Sequence, residues 1–402
     1  MWVGEGLKVE EIHGKGRGLV SSQPLKGGQV VLKDSPILLY STRPLNPQQQ
    51  VHSTSALYCD NCFRRIQPAS AAIPCPSCSH NNNHHFCSTN CLSVAAASSH
   101  SPWVCQSLAR LSNYPDLTVH QPLERQVQAR YLVAAYNLAI VNPSQFQILM
   151  SLQSTHSGDE VASAKAAVFL HSLISTLCPP PTTAQGFAFT LELTSFLLAR
   201  DRLNAFGLME NIRGERSVRA YGIYPRASLF NHDCLPNACR FDYVDSESGS
   251  NTDIIIRMIH DVPQGREICL SYFPVNESYS CRQKRLLEDY GFACDCDRCK
   301  VEANWSDSDQ EENDGGETDQ VEEMDEDQDE DMEAGEEDLH SGDDEAREDF
   351  PHAYFFLRYM CNVENCWGTM APLPPSDGNS SNLLECNVCG NLKNEELLGA
   401  EC

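Results

Sequence analysis

The chain has 402 residues, of which 20 are cysteine, and its formal net charge is −27. No uninterrupted apolar run approaches the roughly 18 residues that a membrane span requires, which argues against a helical membrane protein. No basic stripe interleaved with aromatic residues is present, so direct binding to nucleic acid is disfavoured.

Residues 1–55 are predicted to be rich in β-structure. Short strand-like runs separated by Gly and Pro occupy 7–12, 18–21, 29–32 and 37–41, as is typical of small twisted sheets. The first two runs are joined through Gly14-Lys15-Gly16-Arg17-Gly18. This motif lacks the spacing of a P-loop or a Rossmann turn, so alone it indicates a tight turn.

A cysteine-rich finger follows over residues 56–105. It supplies enough zinc ligands for two closed tetrahedral sites: Cys59, Cys62, Cys75, Cys78, Cys87, Cys91, His100 and Cys105. His84 and His85 stand just before Cys87, which leaves the identity of the histidine ligand open. A unit of about 50 residues has too small a core to fold without metal. We therefore expect two zinc ions and a scaffold or docking role.

Helical apolar spacing marks residues 106–200 as a helical insert. The predicted helices cover 123–141, 161–177 and 187–203, and the prolines at 179–181 break the pattern. Strand character returns over 201–275, at 219–224, 238–243, 253–259 and 267–272, and a charged helix is predicted at 281–289. Strands that flank helices in this way predict the α+β class.

Three units complete the chain. Residues 276–302 carry Cys294, Cys296 and Cys299, one thiolate short of a closed zinc site. Residues 303–349 are predicted to be a disordered acidic insert, because 306–349 contain 24 Asp or Glu and one Arg. This insert is either a solvating tether or a docking site for basic tails. Residues 350–402 are predicted to form a zinc-ribbon-like module, with a fourth zinc ion on Cys361, Cys366, Cys386 and Cys389.

The cysteines also indicate the compartment. Most of them stand in closely spaced pairs, and the N-terminus has no apolar segment of a secretion signal. Zinc in a reducing compartment explains this pattern better than disulfides do. We therefore expect a nuclear or cytoplasmic protein, or one found in both compartments, that is not secreted.

Two motifs in the 201–275 unit give weight to the glycine motif. They are Asn231-His232-Asp233-Cys234-Leu235-Pro236-Asn237 and Gly265-Arg266-Glu267-Ile268-Cys269-Leu270-Ser271-Tyr272. Together with residues 14–18 they resemble the SET domain of protein lysine methyltransferases. The order of SET start, finger, helical insert, SET core and cysteine-rich segment is that of the SET and MYND domain family. The short C-terminal module makes the chain most similar to plant ASHR-type SET-domain proteins.

The resemblance implies a SET (β-clip) fold and transfer of a methyl group from S-adenosylmethionine to a protein lysine. Lys15, Gly16 and Arg17 would contact the methionine end of this cofactor. Asn231 and His232 would bind it through backbone and side-chain groups, and Phe292 would stack on the adenine.

The resemblance also assigns the lysine channel. Tyr272 would be the principal catalytic residue, with its hydroxyl beside the transferred methyl and the attacking amine. Tyr290 would line the channel and contact the cofactor, and Phe206 would pack on the lysine stem. A single tyrosine at a strand end is more often a core residue, but the matching neighbours favour the catalytic interpretation.

Zinc ligands are grouped by the same resemblance. The finger resembles a MYND finger, in which Cys59, Cys62, Cys87 and Cys91 share one ion and Cys75, Cys78, His100 and Cys105 share the second. Cys234 would be the fourth ligand of Cys294, Cys296 and Cys299. MYND fingers generally bind proline-containing partner peptides, so we expect such a partner, and we expect a monomer.

Two functional hypotheses follow. The first is a zinc-stabilised lysine methyltransferase with a histone or another protein as substrate. The second is a non-catalytic adaptor that recruits partners through the MYND finger and the acidic insert. Tyr272, Tyr290 and Asn231-His232 favour the enzyme, because an adaptor has no need of a lysine channel.

Overall fold

The computed structural model describes residues 4, 6–46, 57–78, 84–154, 160–181, 188–212, 215–243, 251–304, 352–375 and 381–394. Residues 305–349 of the predicted acidic insert lie outside the described residues. The bounds of the seven units given above stay predictions.

Strands of the described chain are short. They are β1 (Leu7–Ile12), β2 (Gly16–Ser21), β3 (Val30–Asp34), β4 (Leu38–Ser41), β5 (Ile73–Pro74), β6 (His85–Phe86), β7 (Ala205–Ile212), β8 (Glu215–Ile223), β9 (Asn231–His232), β10 (Ala238–Asp242), β11 (Ile254–Met258), β12 (Cys269–Leu270), β13 (Met370–Pro372), β14 (Leu383–Cys386) and β15 (Leu392–Asn394).

The α-helices lie in the finger, in the central insert and in the C-terminal third. They are α1 (Thr89–Ala97), α2 (Pro102–Ser112), α3 (Pro115–Thr118), α4 (Leu123–Val141), α5 (Pro143–Met150), α6 (Glu160–Leu177), α7 (Leu191–Asn204), α8 (Tyr279–Arg285), α9 (Asp297–Glu302) and α10 (Ala353–Tyr359). None of the described helices is long and apolar enough to cross a membrane.

The strands form several small sheets instead of one large sheet. β4, β8 and β7 form one antiparallel sheet, in the order β4-β8-β7, and β10, β11 and β3 form another, in the order β10-β11-β3. β1 pairs with β2, and β9 pairs with β12 in parallel over two residues. The parallel pair joins the Asn231-His232 motif to the strand just before Tyr272. The predicted α+β class is confirmed.

α4 organises the helical insert. It begins after Pro122 and ends at Asn142, whose side chain caps α5 at the Gln145 N–H. Tyr131 and Tyr136 of this helix are completely or almost completely buried in the core that α4 shares with its neighbouring helices and β4. Burial of aromatic side chains of this size is the main favourable term in such a core. The helical insert therefore shares one core with β4 and is not a separate unit.

The C-terminal module packs on the outer face of the β10-β11-β3 sheet. Phe241 and Ile259 of that region share a core cluster with Tyr359 and Ala371 of the module. Gly28, at φ +81°, lets the chain before β3 approach the backbone oxygen of Leu373 so closely that a Cβ there would clash. The module is thus packed directly against the sheet.

Three predicted elements differ from the structure. The strand expected over 267–272 is shortened to Cys269–Leu270, with an isolated bridge between Glu267 and Val20, so Tyr272 lies beyond its end. The helix expected over 281–289 is α8 followed by a π-helical turn, Leu286–Tyr290. The helix expected from 187 begins at Leu191, where the Thr190 hydroxyl accepts from the Leu193 N–H and caps it. β7, which follows α7 at once, has no counterpart among the predicted strands.

Candidate active site

Tyr272 lies just beyond β12, among aromatic side chains. Its ring centroid is 4.8 Å from that of Tyr290 and 5.2 Å from that of His232. Its hydroxyl donates a hydrogen bond to the Phe230 carbonyl oxygen at 3.0 Å. Because the hydroxyl hydrogen is engaged there, the lone pairs of the oxygen stay available to accept contacts from a reactant.

The phenol of Tyr272 is neutral at physiological pH. Burial raises its pKa well above the ordinary value, and the nearby Tyr290 raises this pKa further. A neutral, fixed hydroxyl orients reactants and accepts weak hydrogen bonds, but it does not act as an anionic base.

His232 bridges Tyr272 and a cysteine. Its Nδ1 accepts a hydrogen bond from the Tyr272 backbone N–H at 3.2 Å, and its Nε2 lies 3.3 Å from Cys234 Sγ. Since Nδ1 is the acceptor, Nε2 carries the hydrogen and donates to the sulfur. Burial lowers the pKa of His232 to about 3, so the ring is neutral. Both ring nitrogens are engaged within the protein, and the contact of this side chain with a cofactor stays a prediction.

The glycine motif forms the turn between β1 and β2 and presents Lys15. The Lys15 ammonium is 2.9 Å from Glu267 Oε2, and the other oxygen of Glu267 accepts from Asn231 Nδ2 at 2.8 Å. Gly18 makes this arrangement possible, because a Cβ there would lie 2.7 Å from the Asn231 amide nitrogen. The structure therefore unites two predicted cofactor contacts, Lys15 and Asn231, through one carboxylate.

Gly16 and Arg17 lie where β2 begins. Gly16 has φ +73°, a conformation that glycine adopts readily. The Arg17 guanidinium donates to the Ser151 carbonyl oxygen at 3.1 Å, which ties β2 to the end of α5. The side chain of Arg17 therefore has a structural partner, and its predicted cofactor contact stays a prediction.

Tyr290 is the last residue of the π-helical turn, and Phe292 follows the turn on the side of His232. The Phe292 ring centroid is 6.3 Å from His232 and 6.5 Å from Tyr290, and Phe292 is 37% exposed. Arg202 of α7 holds the turn by donating to the Glu288 carbonyl oxygen. A partly exposed ring beside the buried imidazole is available for a planar ligand to stack on.

Phe206 of β7 contacts a different set of side chains from Tyr272 and Tyr290. Its ring meets the Tyr224 ring edge-on at 5.7 Å, and the Arg240 guanidinium lies 5.7 Å from its centroid. Among the described residues it makes no ring contact with Tyr272 or Tyr290. Its role in a lysine channel stays a prediction.

Within the described part of the chain, cysteine side chains meet in four groups, one of which includes His100, and in each group all four ligand atoms lie within 4.8 Å of one another. Thiolates on a tetrahedral zinc ion, at about 2.3 Å from the metal, are roughly 3.8 Å apart. The contacts Cys234–Cys299 (3.5 Å), Cys62–Cys87 (3.7 Å) and Cys361–Cys389 (3.6 Å) fit this geometry. The donor sets, which are three Cys₄ and one Cys₃His, are those of structural zinc sites.

The groups unite residues that are distant in sequence. Their members are Cys59, Cys62, Cys87 and Cys91; Cys75, Cys78, His100 and Cys105; Cys234, Cys294, Cys296 and Cys299; and Cys361, Cys366, Cys386 and Cys389. His100 belongs to the second group, with Nε2 3.3 Å from Cys78 Sγ. His84 lies behind it, with ring centroids 4.6 Å apart and Nδ1 3.4 Å from Asp60. His84 therefore supports the ligand and is outside the ligand group.

Glu267 is a site residue that sequence reasoning did not single out. It lies within the Gly265–Tyr272 motif, and its side chain is 18% exposed. The signal available in the sequence was an acidic residue inside one of the motifs that carry the family resemblance. Its partners, Lys15 and Asn231, are brought close only by the fold.

Comparisons with known proteins agree with this geometry. The SET domain family profile matches residues 16–273. The chain is 54% identical over 400 residues to "Histone-lysine N-methyltransferase ASHR2" of Arabidopsis thaliana, which covers 97% of this chain and 96% of that protein. A "SET and MYND domain-containing protein" of Dictyostelium discoideum is 34% identical over 106 residues, 26% of this chain and 19% of that protein. The predicted resemblance to this family and to plant ASHR-type proteins is confirmed.

A more distant likeness is found among solved structures. The crystal structure of "the SET domain of LSMT bound to Lysine and AdoHcy" has 15% sequence identity and a TM-score of 0.31, and it covers 72% of this chain and 53% of that chain. A score this low adds nothing to the assignment.

Proposed function

We propose that this chain, a member of the SET domain family and a protein-lysine N-methyltransferase that uses S-adenosylmethionine, acts on histones through a site centred on Tyr272. The observation that carries the proposal is the position of Tyr272. Its neutral hydroxyl is held by the Phe230 carbonyl oxygen, and its ring is walled by Tyr290 and His232.

The residues of the site mainly position two reactants. S-adenosylmethionine, when bound, supplies a methyl group activated by the sulfonium centre. Lys15, Asn231 and Phe292 would hold its two ends, with Glu267 fixing the first two. The Tyr272 oxygen would accept weak hydrogen bonds from the reacting groups, and Tyr290 would exclude water. Holding reactants in line in this way supplies much of the rate enhancement of a transfer reaction.

A substrate lysine must be neutral before it attacks. No group described above acts as a dedicated base, because the Tyr272 phenol keeps its proton and both ring nitrogens of His232 are engaged within the protein. We therefore propose that the proton leaves through water in the channel, before the side chain is sealed between Tyr290 and Phe206.

Histones are proposed as substrates because the Arabidopsis relative is named a histone-lysine methyltransferase and is 54% identical over nearly the whole chain. Because histones are nuclear proteins, we also propose that the enzyme is present in the nucleus. The MYND finger is proposed as a docking unit for proline-containing peptides, on a monomeric enzyme. Mixing the purified protein with a proline-rich peptide and measuring its mass in solution tests both of these points.

The central experiment compares the zinc-loaded protein with its Tyr272→Phe variant. Each is incubated with methyl-labelled S-adenosylmethionine, core histones and a cell extract, and the label is located by mass spectrometry. We expect label on a histone lysine and a loss of about 100-fold in the variant, since misplacing the reactants of a transfer reaction can cost on that order.

Three outcomes decide the proposal. Label on a non-histone lysine keeps the activity and replaces the substrate. Binding of S-adenosylhomocysteine without transfer to any protein favours the adaptor that recruits partners through its finger. Equal transfer by the Tyr272→Phe variant would show that the Tyr272 hydroxyl has no catalytic role.

A further inference from the structure

Arg282 of α8 lies beside the cysteine group formed by Cys234, Cys294, Cys296 and Cys299, which we call the post-SET cluster. Arg282 is completely buried, with 0% of its surface exposed to solvent. Its Nε–H donates to Cys234 Sγ at 3.3 Å, and its Nη2 donates to Cys299 Sγ at 3.7 Å. One guanidinium therefore contacts sulfur atoms from two segments that are 65 positions apart.

The other donors of Arg282 are also engaged. Nη1 donates to the Glu277 carbonyl oxygen at 2.6 Å, and Nη2 donates to the Glu302 carboxylate. The second oxygen of Glu302 accepts from Arg298 Nε at 2.6 Å. Glu302 and Arg298 are 3% and 5% exposed, so the whole arrangement is shielded from water.

Charge explains why an arginine is needed here. A zinc ion with four thiolates carries a net charge of about −2, and a buried charge of this size is costly unless it is compensated. A guanidinium offsets part of it and, with its rigid fork of donors, hydrogen-bonds two sulfurs and a carboxylate at once. A lysine ammonium has the same charge but not this planar geometry.

We propose that Arg282 is a positioning residue that holds zinc in the post-SET cluster, and that Glu302 and Arg298 extend this buried charge chain to the C-terminal module. The Arg298 guanidinium lies 4.7 Å from the ring centroid of Phe356, in α10. Its Nη1 also donates to the Val275 carbonyl oxygen at 2.5 Å. α10 of the C-terminal module thus covers the Arg298 end of this chain of charges.

The active site lies at the other end. Cys234, which accepts from Arg282, also accepts from His232, and His232 holds the Tyr272 backbone. Zinc retention does not depend on the proposed function. The inference rests on that function only where it extends to cofactor binding.

The test uses the zinc-loaded full-length protein and its Arg282→Gln variant. Both are treated with a metal chelator and a thiol-alkylating reagent, and the alkylation rate of each cysteine-containing peptide is followed by mass spectrometry. Loss of one residue that hydrogen-bonds a metal ligand typically weakens metal binding 10- to 100-fold. We therefore expect the post-SET cysteines to be alkylated roughly tenfold faster, while those of the finger and of the C-terminal module keep their rates.

Three further variants sharpen the test. Lys284→Gln removes an equal charge from the exposed side of the same helix and should leave every rate unchanged. Arg282→Lys keeps the charge without the fork and should give an intermediate rate. Phe356→Leu should accelerate the post-SET cysteines by a smaller factor than Arg282→Gln does.

Two outcomes overturn the inference: unchanged post-SET rates in Arg282→Gln, or an equal acceleration of all four cysteine groups, which indicates general destabilisation. If Arg282→Gln does not fold, Glu302→Gln takes its place with the same expectations. Binding of S-adenosylhomocysteine by the unmodified protein is measured in parallel. A failure of that binding counts against the proposed function and leaves the result on zinc retention intact.

Discussion

The imidazole of His232 accepts a hydrogen bond from the Tyr272 backbone N–H at 3.2 Å and lies 3.3 Å from Cys234 Sγ on its other side. One small ring therefore connects a zinc-ligand candidate to Tyr272, the proposed catalytic residue. Because imidazole is planar and both nitrogens are engaged, a displacement of Cys234 is transmitted to the backbone of Tyr272. The post-SET cluster is therefore linked through His232 to the proposed catalytic residue.

Replacing His232 by Gln should lower kcat by roughly 10- to 100-fold, as losses of groups that orient a metal ligand do. The amide cannot span Cys234 and Tyr272 with the geometry of the ring. His171→Gln is the matched control, since His171 is a half-buried histidine that contacts Thr194 in the helical insert. Transfer rates and zinc content are measured for both variants. Full activity of His232→Gln would show that Tyr272 is held independently.

Glu267 should determine how the amino-acid end of the cofactor is bound. Its carboxylate fixes the Lys15 ammonium at 2.9 Å and the Asn231 amide at 2.8 Å. Glu267→Gln loses the charge-assisted contact, worth about 1.5–3 kcal/mol, so affinity for S-adenosylhomocysteine should fall by at least roughly tenfold.

Methylthioadenosine, which lacks the amino-acid end, separates this effect from general damage. Its affinity, measured by calorimetry, should be the same for the unmodified protein and Glu267→Gln. Glu10→Gln on β1 is the control, because Glu10 is exposed and pairs only with Lys8 among its described neighbours. Equal losses for both ligands would refute the assignment to the methionine end.

Local patterns predicted much of this molecule. The bounds 7–12 and 123–141 agree with β1 and α4, because alternating or helical apolar spacing is a property of the segment itself. Candidate zinc ligands could be named for a similar reason, since C-x-x-C spacing places two thiolates near one ion whatever surrounds them.

Long-range contacts could not be predicted in this way. Glu267 and Lys15 are 252 positions apart, and neither segment indicates the other. The end of β12 also depends on residues distant in sequence. β9 pairs with it over only two residues, and the Tyr272 N–H donates to His232 instead of to a strand. The C-terminal module contacts the β10-β11-β3 sheet through the pair Arg257 and Glu385, which are 128 positions apart.

Asp201 should make stability depend on pH. Burial raises the pKa of this carboxyl to about 7, although the Tyr40 hydroxyl donates a hydrogen bond to it. In the unfolded chain an aspartate loses its proton near pH 4. The folded state therefore keeps a proton that the unfolded state has released, and the contribution of Asp201 to stability is lost as pH rises from about 4 through 7.

Asp201→Asn cannot ionise and should escape that loss. The urea midpoint of the variant minus that of the unmodified protein should be larger at pH 8 than at pH 5. Glu192→Gln, on the exposed side of the same helix, should show no such shift. A difference between variant and unmodified protein that is the same at both pH values would contradict the prediction.

Glu385 should be essential for docking of the C-terminal module. Its carboxylate lies 2.7 Å from Arg257 Nη2 and accepts from the Tyr243 hydroxyl. Arg257 is 2% exposed and lies 3.6 Å from the ring centroid of Phe241, so its charge is compensated mainly by Glu385. Removing one partner of a buried ion pair leaves an uncompensated charge and costs about 3 kcal/mol or more.

Glu385→Ala should therefore lower the urea midpoint and expose the module to proteases between residues 352 and 394. The matched control is Glu364→Ala, which removes an exposed carboxylate from the same module. Replacing both Arg257 and Glu385 by leucine should recover part of the lost stability, since a buried ion pair contributes less than the cost of breaking it. If Glu385→Ala unfolds at the same urea concentration as the control, docking depends on the apolar contacts of Tyr359 and Ala371 instead.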